Sequence, residues 1–309
     1  MLGRNQEAIH LLSTLGDAPS SLGIDYLSDR PVPTYGLKQL WLSRMVFAQG
    51  TLAIADKDRQ KTAQAITTLA RQAAVLEEEH YFPSQLEGNY AEKFELRLLL
   101  ALAQSPEPLP EAPALETLVS TRDVRARFRE MMAFEATWFC RGMSQELAKE
   151  ADSAKGEGFP GWFGSLAGRN VGLVLTAAAL EEHRRYLDGY DQGYAWIKEQ
   201  LDIPGKKLSF VGKMRRLGGP FYPDYIANYR SLAASHDLVR GCLRSRGPWS
   251  AGATCQEIGR RLAGSFPSLT VSEKDNGCVI RTIDGADYFH FFPPGNSITA
   301  PQECALPAR

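Results

Sequence analysis

The sequence predicts a mainly α fold, a multi-helix bundle or array that ends in a small α+β module. Three observations predict it. Apolar residues recur at helical spacing from residue 6 to residue 246. The character changes after Gly247-Pro248. Two hairpin-turn dipeptides, Asn276-Gly277 and Asp284-Gly285, then separate three short β-like runs.

The elements follow in order. Gln6–Leu15 is a short apolar-periodic stretch, and a Ser-, Asp- and Pro-rich loop runs from 16 to 34. Tyr35–Ile54 carries Leu37, Leu40, Trp41, Met45, Val46 and Leu52 at helical spacing. Asp58–Glu79 aligns Ala63, Ile66, Leu69, Ala70, Ala73 and Leu76, and its short link to the preceding helix predicts an antiparallel hairpin. Leu86–Leu102 sets Tyr90, Phe94, Leu98 and Ala101 on one stripe. Residues 105–113 hold four prolines and mark a stiff link or sub-boundary. Ala114–Val119 is short, whereas Asp123–Ala151 is long, with Val124, Phe128, Met131, Met132, Phe134, Ala136 and Phe139. Four glycines and a proline within 155–164 break it. Arg169–Leu201 and Tyr222–Arg246 complete a helical body over 1–247.

Residues 248–292 read as the module: a helix at Cys255–Leu262, then strands at 268–272, 277–283 and 286–292 forming a three-stranded antiparallel sheet. Residues 293–309 carry four prolines and read as a loose tail.

Composition excludes several classes. With 309 residues, 44% apolar and 23% charged, the chain can bury a core without metals or bridges. A net charge of −1 argues against a generally basic nucleic-acid binder. The first residues hold no apolar signal-peptide core. The longest uninterrupted apolar helical run, Val171–Leu180, would be about 15 Å long, half a bilayer.

One cysteine, Cys140, falls in the first 241 residues, on an apolar helix face that suits a core thiol. Cys242, Cys255, Cys278 and Cys304 fall in the last 68. With no C-x-x-C pair among them, zinc is disfavoured. They are either independent thiols or disulfide partners in an oxidising compartment, with Cys255–Cys278 the favoured pair.

Motifs for catalysis are thin. Glu77 and His80 form an E-x-x-H pair, as di-iron bundles require twice, but the second copy is missing because Glu182 and His183 are adjacent. The segment around Glu77 therefore reads as a solvated acidic helix end. Ser165 reads as a helix cap. Cys242 lies six residues from His236, on the opposite side of a helix. There is no G-x-S-x-G, P-loop or H-E-x-x-H. No catalytic residue, metal or cofactor is expected.

Charge and aromatic clusters carry more. Between Pro204 and Arg246 stand nine basic and two acidic residues, with Lys213, Arg215 and Arg216 the candidates for meeting an anionic surface. Arg122, Arg125, Arg127 and Arg129 form a second cluster. The competing reading pairs these arginines with the acidic helices, which carry Glu77, Glu78, Glu79, Glu87, Glu92 and Glu95. Tyr186, Tyr190 and Tyr194 stand four apart on one helix face and are candidates for the same surface, core packing being the competing reading.

Two stretches carry a resemblance. One runs Phe210-Val211-Gly212-Lys213-Met214-Arg215-Arg216-Leu217, then Tyr222-Pro223-Asp224-Tyr225-Ile226 and His236-Asp237-Leu238-Val239-Arg240. The other is Gly168-Arg169-Asn170 leading to Tyr186-Leu187-Asp188-Gly189-Tyr190. This order resembles a group of bacterial envelope proteins with an N-terminal membrane anchor, a helical body and a small pilin-like C-terminal module. The resemblance implies an exported protein whose anchor lies upstream of Met1, and it transfers no functional residues. The expected function is a non-enzymatic envelope docking module, on the periplasmic side, for a protein partner or an anionic membrane surface and not for nucleic acid. The alternatives are an enzyme using His80 or His183 with nearby glutamates, and a cytoplasmic helical scaffold.

Overall fold

The computed structural model describes residues 36–79, 82–109, 111–120, 123–153, 222–247, 252–274, 277–283 and 303–306, with isolated positions at 7, 176–177, 180–181, 183–192, 196 and 199. Among them are seven α-helices: α1 (Gly36–Ala55), α2 (Arg59–Glu77), α3 (Phe82–Gln104), α4 (Ala112–Ser120), α5 (Val124–Ser153), α6 (Tyr222–Arg244) and α7 (Cys255–Ala263). Three strands follow: β1 (Leu269–Lys274), β2 (Gly277–Thr282) and β3 (Glu303–Ala305). The mainly α class with a small three-stranded antiparallel sheet is as expected. The expected helices over 6–15 and 169–201, the breaker at 155–164 and the expected strand at 286–292 lie wholly or largely outside the described residues.

The chain divides into two compact units. One contains Pro33–Arg127 and Asn228–Arg309, and the other contains Phe128–Ala227. The link at 105–113 does not divide them.

In the first unit α1, α2 and α3 pack on one another pairwise. The three-residue turn Asp56–Asp58 reverses the chain between α1 and α2, and Gln72 near the end of α2 donates to the Gln39 carbonyl near the start of α1 (3.1 Å), so the hairpin is antiparallel. Lys57 occupies the left-handed region, φ 59°, at this reversal. Asp58 then caps α2, accepting from the Lys61 N–H at 3.0 Å.

The buried stripe of α1 is Ser43, Val46, Gly50 and Ala53. A Cβ on Gly50 would stand 2.5 Å from Leu98 Cδ1, so a larger residue there would force the buried Leu98 side chain to shift, and glycine lets α1 approach α3 this closely without that. This corrects the expected α1 face: Trp41 and Leu52 are 56% and 54% exposed. Small residues let the backbones close, and that turns the bulky ones outward. Ala63 of α2 and Ala101 of α3 are likewise exposed. From Ala91 to Leu100, α3 is buried on nearly every side, so a single apolar stripe does not describe it.

The module stands on α6. A Cβ on Gly241 would meet Leu269 Cδ1 at 2.6 Å. Ser268 Oγ donates to Asp237 at 2.6 Å, and the Arg240 and Arg244 guanidinium groups lie 4.9 Å from the Phe266 ring centre. Helix α7 starts with a reciprocal cap: the Glu257 N–H donates to Thr254 Oγ1, and the Thr254 N–H donates to the Glu257 carboxylate. Ile258 and Leu262 bury its inner face. β1 and β2 pair antiparallel over six residues, from Leu269↔Thr282 to Lys274↔Gly277. β2 pairs with β3 through Val279↔Ala305, Ile280↔Cys304 and Arg281↔Glu303. β3 lies inside the segment expected to be a loose tail. It pairs with β2 and is also tied to α6 by a bond that no local pattern encodes, the Cys242–Cys304 disulfide.

Candidate functional site

The candidate site is a buried polar cluster in the first unit, gathered from four helices. α2 supplies Glu77 near its end. α3 supplies Gln85, Asn89 and Glu92, at i, i+4 and i+7 on one face, with Lys93 beside them. The first turn of α5, capped by Asp123 through the Ala126 N–H (2.9 Å), supplies Arg127. α6 supplies Asn228, Tyr229 and His236.

Glu92 is the centre, its side chain fully buried. One carboxylate oxygen accepts from Arg127 Nη2 at 2.7 Å, and the other lies 2.7 Å from His236 Nε2. The second arm of the Arg127 guanidinium pairs with Glu77. The Tyr229 hydroxyl donates to Gln85 Oε1 at 3.0 Å. Lys93 donates to the Asn228 side-chain oxygen, its ammonium 5.4 Å from the Tyr90 ring centre.

The electrostatics follow from burial. Burial works against the charge on Arg127, but Glu92 and Glu77 outweigh it and hold the guanidinium above its ordinary value. Burial pushes the Tyr229 phenol up, and the nearby Arg127 charge only partly offsets that. Burial, then repulsion from Arg97, drives Lys93 down to about 7, with Glu92 pulling the other way. Burial alone raises Glu87, on the same helix, to about 7.

Lys93 makes a prediction about pH. Its folded pKa of about 7 lies below its ordinary value of 10.5, so between these limits the unfolded chain binds the extra proton. Stability therefore rises with pH through this window, by up to about 1.4 kcal/mol per pH unit for one proton. Denaturant unfolding at pH 7, 8, 9 and 10 should show the rise in the natural protein and a flatter profile in Lys93→Met. Equal slopes in the two proteins would remove Lys93 as the cause.

Glu92 has both oxygens engaged and reaches no solvent. A general acid or base must come within about 2.6–3.2 Å of its substrate. As arranged, the cluster ties the end of α2, α3, the first turn of α5 and the Asn228–His236 part of α6 to one another.

These placements correct the sequence reading at several points. Glu77 is not part of a solvated helix end: its side chain is 10% exposed against Arg127, and Glu79 is buried too. The pairing of the arginine cluster with the acidic helices holds for Arg127, while Arg125 and Arg129 are exposed. Part of the 204–246 basic stretch also turns inward. Arg244 binds Glu116, with Nε at 2.9 Å, and Arg246 donates to the Glu107 carbonyl. Lys213, Arg215, Arg216, Tyr194, Ser165 and His80 lie outside the described residues.

In the second unit Tyr190 is buried and stacks on Phe128, ring centres 4.9 Å apart, so it is no surface residue. Tyr186 is half-buried, edge-on to Trp196 at 6.0 Å. His183 is buried and Cys140 half-buried. Sequence reasoning missed Glu92, Tyr229 and His236 as a group. The available signal was a polar residue at a core-facing position of each of two apolar helices.

The four C-terminal cysteines form Cys255–Cys278 and Cys242–Cys304, with Cα atoms 5.4 and 6.2 Å apart, so Cys242 is no nucleophile. A small cleft of about 130 Å³ at the α1–α2 turn is lined by Lys57, Arg59 and Glu107 among others, and its cations are already paired, Lys57 with Glu107 at 2.7 Å and Arg59 with Glu111 at 3.6 Å. Drug-sized ligands occupy about 300–1,000 Å³. Among the described residues no group of three or more His, Cys, Asp or Glu side chains could hold a metal ion, and no helix is long and apolar enough to cross a membrane. Compared with known proteins, the chain matches no family model, no curated protein and no solved structure.

Proposed function

We propose that the protein is a non-enzymatic docking module of the bacterial envelope. It works in an oxidising compartment outside the cytoplasm, where its helical body meets an anionic membrane surface or a protein partner. The observation that carries this reading is the outer face of α1. Trp41 and Leu52 lie three helical turns apart on one face, both more than half exposed, and the Arg44 guanidinium stands 5.4 Å from the Trp41 ring centre. Amphipathic aromatics beside a cation suit an interface. Two disulfides support the compartment. The side chains best suited to acid–base work, Glu92 and His236, are spent on each other and on Arg127.

The test is sedimentation with vesicles containing phosphatidylglycerol against neutral vesicles. Binding is expected to favour the anionic vesicles and to fall steeply with salt, since charges are screened within about 8 Å at physiological ionic strength. Lys213→Glu with Arg215→Glu and Arg216→Glu should abolish it without changing helix content, and Trp41→Ala with Leu52→Ala should weaken it at every salt concentration. Specific capture of an envelope protein by the natural chain, lost in the Trp41/Leu52 variant, would assign the face to a protein partner. Failure of both overturns the reading, and four alkylatable C-terminal thiols in protein from the native host overturn the compartment.

A further inference from the structure

The two disulfides differ in what covers them and in what they hold. Cys242 and Cys304 are both fully buried, between α6 and the sheet. Their bond is the covalent tie of a strand that makes only three register pairs with β2. Cys255 and Cys278 are each partly exposed. Their bond joins the first residue of α7 to the second residue of β2, with Cys255 Sγ 3.7 Å from the Gly277 carbonyl. The segments it joins are also held without it. α7 packs on β1, β1 pairs with β2 over six residues, and Ile258 and Leu262 bury the inner face of α7.

We infer that Cys255–Cys278 is an exchangeable bridge, open to an external dithiol, while Cys242–Cys304 is a permanent lock. This goes beyond the docking reading and does not depend on which surface the helical body meets. The chemistry is thiol–disulfide exchange. A thiolate of the dithiol attacks Cys278 Sγ, a new S–S bond forms, and the Cys255–Cys278 bond breaks with Cys255 leaving as thiolate. The second thiol of the reagent then attacks the mixed disulfide and releases Cys278. The dithiol ends oxidised to its disulfide, and the protein ends with two thiols. Exchange of this kind depends on access of the attacking thiolate to a sulfur, and the cysteines of the outer bridge are partly exposed whereas those of the inner one are fully buried. Attack on the Cys255 sulfur instead, with Cys278 leaving, gives the same products.

The experiment reduces the folded protein with dithiothreitol in native buffer. Samples are quenched with iodoacetamide at intervals, each cysteine is read by peptide mass mapping, and helix content is followed by circular dichroism. Cys255 and Cys278 should become alkylated at least about tenfold faster than Cys242 and Cys304, with helix content unchanged. Under denaturant all four should react together, which confirms that both bridges are reducible. In the Cys255→Ser, Cys278→Ser double variant, Cys242–Cys304 should keep its slow rate. Opening of both bridges at one rate, opening of Cys242–Cys304 first, or loss of helix content in step with the outer bridge would overturn the proposal. So would acceleration of the inner bridge in the double variant.

Discussion

Replacing Cys242 and Cys304 together by alanine should lower the unfolding free energy by about 4 kcal/mol. The bridge closes a loop of 62 residues. In the chain-entropy model a loop of that length restricts the unfolded state by about 4 kcal/mol, against about 3 kcal/mol for the 23-residue loop of Cys255–Cys278. The buried sulfurs add a packing loss of their own. β3 should part from β2 in the same variant, because three register pairs are a small return for ordering the segment. Guanidinium unfolding under oxidising conditions measures the first effect, and hydrogen exchange at Ile280, whose N–H faces β3, measures the second. A loss below about 1 kcal/mol, or unchanged protection on β2, would show that β3 is held by its strand pairing instead.

The second large effect is expected at Arg127. Arg127→Met takes the guanidinium away from both Glu92, whose side chain is fully buried, and Glu77. Breaking a buried ion pair by removing one partner costs about 3–5 kcal/mol, because an uncompensated charge stays in a place where water cannot reach it. Adding Glu92→Leu should recover part of the loss, with a coupling energy of about 1 kcal/mol or more between the two positions. Additive losses would mean that Arg127 and Glu92 do not act on each other. A single variant within about 1 kcal/mol of the natural protein would mean that the cluster does not hold the helices together.

Both results bear on how far this sequence can be read. Helices α1 to α5, α6 and α7 were legible because their apolar spacing and breakers are local. Asp58 and Thr254 cap their helices through residues three positions away. The first two strands were legible for the same reason, since Asn276-Gly277 sets a turn between β-forming runs. The α1 face was misread because spacing reports which residues are apolar, whereas Gly50 and Ala53 decide how closely two backbones approach. Once α1 lies against α3 along its small residues, Trp41 and Leu52 must face outward. The solvated reading of Glu77 failed for a related reason. A run of glutamates looks like a surface until the partner that neutralises it is known, and Arg127 stands 50 positions away along the chain.

By itself, then, the sequence determined the mainly α class and the element boundaries to within a few residues, and it favoured Cys255–Cys278 without deciding between a bridge and free thiols. Each of these rests on chemistry between close neighbours or on a short list of possible partners. Tertiary structure alone decided the Glu77–Arg127–Glu92–His236 cluster, the position of β3 and the outward turn of Trp41. Each of these depends on which helix faces which, and that is set by the summed packing of side chains far apart in the chain. Burial then gives the distant contacts their weight, because a charge or a sulfur removed from water must find its partner inside the protein.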